Sequence, residues 1–122
     1  MTDLTKLKGP IDWLQIRGEI ESAILDMLGN IKRERVDLEV NTMDEVECFG
    51  YARHKATYFV DDWTRVSAWL LVPDSKEEAP AVLCCHQQSA FGKNETAGMA
   101  GDANLALAKY YAERGFVTLA PD

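Results

Sequence analysis

Two short stretches constrain this chain more than any other feature: Ala81–Cys85, which reads AVLCC, and Phe116–Ala120, which reads FVTLA. The first is continuously apolar, the mark of a strand covered on both faces. The second reads as another buried strand. Between them, Gly101–Arg114 has the composition of a helix. Asp102 can cap its start, alanines and leucines fill it, Lys109 and Arg114 lie late in it, and Gly115 closes it. A strand, a helix and a second strand in that order imply parallel pairing and a right-handed crossover. Residues 86–101 form a long polar loop at the end of the first strand.

Upstream the pattern changes. From Arg35 to Val72 apolar residues recur every second position, beginning with Val36, Leu38 and Val40. Tyr51–Val60 and Arg65–Val72 read as two further strands, and Asp61–Thr64 (DDWT) as the turn that makes them a hairpin. This alternation predicts an antiparallel, half-buried part of the sheet. Pro73–Pro80 is a charged connection. Before all of this, residues 11–31 place Ile16, Ile20, Ile24, Met27 and Ile31 on one face of an amphipathic helix. Pro10 sits at its first turn and Gly29-Asn30 offers a stop. Gly18 inside it weakens it by about 1 kcal/mol relative to Ala.

The 122 residues are the size of one domain, and an apolar share of 47% is enough for a core and argues against disorder. A net charge of -7 disfavours nucleic acid as partner, because phosphate binding needs clustered Lys and Arg. No apolar run reaches the roughly 18–20 residues that span a bilayer, and MTDLTKLKGPIDW lacks the apolar centre of a signal peptide. The expectation is a cytoplasmic protein without membrane contact. Cys48, Cys84 and Cys85 fit reduced thiols, since three cysteines without CxxC spacing suggest neither a disulfide framework nor a redox pair.

The loop after the first parallel strand is where chemistry is expected, because ligands of open parallel sheets sit beyond the carboxyl ends of strands. His86 reads either as a strand-end histidine that shapes the loop or as an acid-base group; no acid lies near it in sequence. Gln87 and Gln88 are candidates for a backbone N–H turned into a cleft, where one donor to a developing oxyanion is worth roughly 3–4 kcal/mol. The simpler reading is two solvated glutamines. Gly92-Lys93 fails as a phosphate loop, since Asn94 stands where Ser or Thr is needed and Gln87 where Gly is. Lys93 and Glu95 are expected to brace the loop through an ion pair or hydrogen bonds. Cys48, His54, Cys84, Cys85 and His86 lack metal-ligand spacing, so neither a metal nor a cofactor is expected. Trp13, Trp63 and Trp69 read as core or rim packing.

In these stretches the chain resembles the N-terminal half of an α/β-hydrolase, in the dienelactone-hydrolase and acetyl-xylan-esterase-like branch. The likeness is carried by Val66–Pro73 (VSAWLLVP), Pro80–His86 (PAVLCCH), Gly92-Lys93 with Glu95 and Gly98, and Gly115–Asp122 (GFVTLAPD). It covers residues 50–122 and leaves 1–49 as an N-terminal helix-and-strand extension. It implies an α/β fold with an incomplete hydrolase sheet, in which the strand at Ala81–Cys85 pairs on one side with Phe116–Ala120 and on the other with a strand bearing the nucleophile. It implies acyl transfer from a carboxylic ester of a small substrate through a Ser or Cys nucleophile on a sharp elbow, followed in chain order by an acid and a histidine. The loop 86–101 would supply one oxyanion-hole N–H, from Gln87 or Gln88. Many relatives have His-Gly where this chain has His86-Gln87. None of Ser22, Ser67, Ser75 and Ser89 lies in G-x-S-x-G, no cysteine lies in an equivalent elbow, and both histidines precede the place of a catalytic one. Asp122 matches a turn-forming position of the family and not its triad acid. The resemblance therefore implies no catalytic residue within the chain, a nucleophile, acid and histidine beyond residue 122, and no esterase activity of these residues alone. Two alternatives stay open: a complete non-enzymatic α/β binding or interaction module, such as a homo-oligomer that completes its sheet with a second copy, and a fragment of a peptidase relative.

Overall fold

A computed structural model describes residues 9–29, 35–75 and 78–122. The chain divides into two units, residues 1–34 and 35–122. The first contains helix α1, Pro10–Leu28, with proline in its first turn and Gly29 at its C-terminal cap. The spacing of Ile16, Ile20, Ile24 and Met27 is thus realised in a helix. Asn30 and Ile31 lie outside the described residues. No helix among the described residues is long and apolar enough to cross a membrane.

The second unit is a mixed five-stranded sheet with few helices, an α/β arrangement. Its strands are β1 (Asn41–Cys48), β2 (Tyr51–Phe59), β3 (Arg65–Pro73), β4 (Ala81–Leu83) and β5 (Val117–Pro121), in the order β1-β2-β3-β5-β4. β1, β2, β3 and β5 pair antiparallel in turn, and β4 pairs parallel with β5. The sheet takes in residues 41–48, so the segment 1–49 set apart by the resemblance is divided, with 35–49 in the unit of the sheet.

The β2–β3 hairpin forms where the alternation places it. Its turn closes because the Asp61 carboxylate accepts from the N–H groups of Trp63 and Thr64 at 2.9 and 2.6 Å. The strand before it is not at Val36–Val40. That segment is irregular, tied to β2 where the Phe59 N–H donates to the Leu38 carbonyl at 2.8 Å. The strand lies instead at 41–48, where a bulge interrupts the register between Met43 and Val46 and Asp44 takes φ 55°. One extra residue breaks the two-residue period, so the pattern of NTMDEVEC is lost to sequence inspection.

Two further expectations are corrected. Ala81–Cys85 is not a strand covered on both faces. Only Ala81–Leu83 is strand; Ala81 and Leu83, which share one face of it, are exposed, and among the described residues β4 pairs with a strand on one side only. Gly101–Arg114 is not one helix. Asp102 caps a 3-10 turn at Ala103–Leu105, Ala106 breaks the spiral with ψ 56°, and helix α3 runs over Leu107–Ala112. A short helix α2, Lys93–Thr96, forms inside the loop that sequence leaves irregular.

The core lies between α3 and the sheet. Leu71, Ala97, Ala108, Ala112 and Ala120 pack with Tyr51 and Cys84. Small side chains let the helix approach closely. The buried Thr118 hydroxyl donates to the Ala108 carbonyl at 3.2 Å, which joins β5 to α3 without leaving that hydroxyl unpaired.

Candidate functional site

β4 and β5 point their carboxyl ends the same way, and the residues of interest collect there. Carrying the parallel register past Leu83 and Leu119 brings His86 level with Asp122. Gly92 lies against both: a methyl group there would meet Asp122 Oδ1 at 2.8 Å and His86 Cε1 at 4.0 Å. Asp122 is thus the acid that lies near His86, although each is hydrogen-bonded to another partner.

Three consecutive residues of α2 fix the loop, Lys93 and Asn94 to strands of the sheet and Glu95 to the two ends of the loop itself. Lys93 binds Asp122 at the end of β5: its ammonium pairs with Oδ2 and its N–H donates to Oδ1 at 3.1 Å. Asn94 Oδ1 accepts from the Trp69 indole N–H of β3 at 2.8 Å. Glu95, 5% exposed, accepts from both ends of the loop, from the Gln87 side-chain amide at Oε2 and from the Asp102 N–H at Oε1, the latter at 2.9 Å. Lys93 and Glu95 do brace the loop, with separate partners and not as a pair with each other.

Burial pushes the Asp122 carboxyl up, but the two hydrogen bonds from Lys93 and the charge of Lys93, with a smaller pull from His86, outweigh it and hold the carboxyl below its ordinary value. Asp122 is thus an anion held by Lys93. Burial, with the neighbouring Cys85 adding to it, pushes the Cys84 thiol up, the opposite of what a thiolate nucleophile needs.

His86 Nδ1 lies 2.7 Å from the Gln87 carbonyl oxygen. A carbonyl only accepts, so Nδ1 carries the hydrogen and donates, and in the neutral ring Nε2 is left as an acceptor. The N–H groups of Gln87 and Gln88 donate to no acceptor among the described residues. The loop therefore offers a histidine ring, free backbone donors and a bound lysine at the end of a parallel strand pair. Of these groups only the backbone N–H donors of Gln87 and Gln88 are uncommitted, and a donor of that kind can hold a negatively charged oxygen. Among the described residues no group of three His, Cys, Asp or Glu side chains is placed to hold a metal ion.

His86, Gln87, Lys93 and Glu95 come together in one loop. His54 does not join them; it lies on β2, 4.0 Å from Glu45. Sequence reasoning gives Asp122 only a turn-forming position and misses its bond to Lys93, as it misses the Trp69–Asn94 bond. The signal for Asp122 is present in the parallel pairing itself, which sets the residues that follow two neighbouring strands side by side. For Trp69 nothing in the local sequence points to an acceptor 25 residues on.

No model of a known protein family matches the chain, and no curated protein matches it.

Proposed function

We propose that the chain carries the oxyanion-hole part of a carboxylic-ester hydrolase acting on a small substrate, with nucleophile, acid and catalytic histidine supplied by residues other than these 122. One observation carries the reading: a loop beyond the carboxyl end of a parallel strand is fastened at three consecutive residues while the N–H groups of Gln87 and Gln88 have no acceptor among the described residues. Fastening of this kind is what oxyanion stabilisation requires, since donors aimed in advance need no reorganisation during reaction. The pairing of β4 with β5 on one side, and its open opposite side, agrees with the strand order the resemblance implies.

The 122-residue chain alone is expected to hydrolyse p-nitrophenyl acetate no faster than background. The protein as its native host makes it should hydrolyse that ester, and a fluorophosphonate or chloroacetamide probe should label a serine or cysteine outside residues 1–122. Turnover by the short chain that survives repurification and is lost in Gln88→Pro would sink the proposal. So would a label on Ser22, Ser67, Ser75 or Ser89.

The open edge of β4, where Leu83 is 62% exposed, favours a second reading: a non-enzymatic α/β module that completes its sheet with a second copy. A symmetric dimer by sedimentation, together with a native-host protein that hydrolyses no ester, would select it over the first.

A further inference from the structure

We infer that Glu95 is a positioning residue for the oxyanion donor, acting through the Gln87 side chain on the peptide between Gln87 and Gln88, and that Gln88 supplies the N–H; this rests on the hydrolase reading.

Gln87 is gripped at two points. Its side-chain amide donates to Glu95 Oε2, and its carbonyl accepts from the His86 ring at 2.7 Å. The chain contains no cis peptide bond among its described residues. In a planar trans peptide the N–H points opposite to the C=O. With the Gln87 carbonyl turned to His86, the Gln88 N–H faces away from that ring and is left without an acceptor among the described residues. The orientation of the Gln88 donor is thus set by what holds Gln87.

Glu95 is suited to do the holding. It is buried, and its other oxygen is occupied by the Asp102 N–H, so the carboxylate is not free to follow a moving Gln87. A carboxylate only accepts, so Gln87 must present its NH2 group in one orientation. The nearest cation in sequence, Lys93, is committed to Asp122. The negative charge of Glu95 is therefore met by neutral donors at the two loop ends, and losing it frees both.

The first test is the 1H–15N NOE of the Gln88 amide in the 122-residue chain. Glu95→Ala and Gln87→Ala should each drop it to the value of a flexible loop, with the Trp69 indole resonance still at its folded position. Glu95→Gln should keep it, because a glutamine at 95 accepts from Asp102 and donates to Gln87 once the Gln87 amide turns over. If Glu95→Ala fails to fold, Gln87→Ala decides alone, since it leaves the Glu95–Asp102 bond intact. An unchanged Gln88 amide in Gln87→Ala overturns the inference.

The second test uses the protein as its native host makes it. Gln87→Ala should lower kcat on p-nitrophenyl acetate roughly 10- to 100-fold, with KM within about threefold. Glu95→Ala should match it and Glu95→Gln should restore most of kcat. An active wild type with an unaffected Gln87→Ala overturns the inference alone. A wild type that hydrolyses no ester overturns the hydrolase reading, and the assignment of Gln88 as oxyanion donor with it.

Discussion

The two edges of the sheet are held in opposite ways. At the β1 edge, six of the strand's eight residues pair with β2, and seven of the eight are exposed. Backbone hydrogen bonds do nearly all the holding there. At the β4 edge the strand is three residues long, yet the loop that follows is fixed by side chains of Lys93, Asn94 and Glu95, which reach the end of β5, β3 and the two ends of the loop. A ladder tolerates almost any exposed side chain. A set of specific side-chain bonds does not, and fixes atoms to a geometry that chemistry can use. The difference marks the β4 end as the place where position matters.

The comparison breaks most visibly at glycines. Gly101 has φ 73°, and a methyl there would stand 2.2 Å from Glu95 Oε1, a clash the carboxylate cannot relieve without giving up the Asp102 N–H. Gly101→Ala should therefore cost about 2–4 kcal/mol, from left-handed strain and a broken buried bond together. Gly50, in the β1–β2 turn, has a similar φ of 82°, and a methyl added there would meet nothing within 4 Å. Gly50→Ala should show the strain alone, about 1 kcal/mol. Urea unfolding of both variants measures the contrast. Equal losses would mean that the Glu95 anchor adds nothing.

Much of this arrangement is legible in the sequence, and what is not has physical causes. The hairpin at Asp61–Thr64 and the parallel pair at Ala81 and Val117 follow from alternation and apolar runs, because each strand's own residues carry the signal. β1 is hidden by its bulge. The expected single helix at 101–114 is divided at Ala106, even though its composition favours continuity; Glu95 binding Asp102 fixes the start of that segment from outside. In the candidate site the loop and its residues His86, Gln87, Lys93 and Glu95 are visible as a cluster. Their partners are not, because the Trp69–Asn94 and Lys93–Asp122 bonds join residues 25 and 29 positions apart, and no local pattern encodes such a pairing.

The Trp69–Asn94 bond sharpens the contrast at a smaller scale. Trp69→Phe removes the indole N–H together with part of the ring that packs against the core, so Asn94 Oδ1 loses its partner. The bond itself is worth about 1 kcal/mol, and the lost ring volume adds to the loss. Asn94→Ala should cost about 1 kcal/mol, and the double variant should fall short of the sum of the two by about the worth of the bond, the non-additivity of residues that share one partner. Full additivity in urea unfolding would show that the bond contributes nothing.

A smaller effect is expected from the Lys93–Asp122 pair. The folded Asp122 carboxyl lies below its ordinary value, so its contribution is complete above the unfolded value near 4 and fades as pH falls through the folded one. The Asp122 side chain is half exposed, which keeps the contribution below about 1 kcal/mol. Asp122→Asn should flatten the fall of stability between about pH 5 and pH 3 by that amount. An unchanged slope would remove the pair from the set of anchors.

The smallest effect belongs to the other edge. Met43 and Val46 flank the bulge of β1 and are 47% and 43% exposed, so shortening either to alanine removes little apolar surface from a buried setting. Each change should stay within about 0.5 kcal/mol, the range of ordinary surface substitutions. The backbone ladder to β2 survives both, since neither side chain takes part in it. A loss above about 1.5 kcal/mol from Val46→Ala would fall in the range of a buried residue. It would mean that something covers this face in solution, and the edge held by backbone alone would then be an interface.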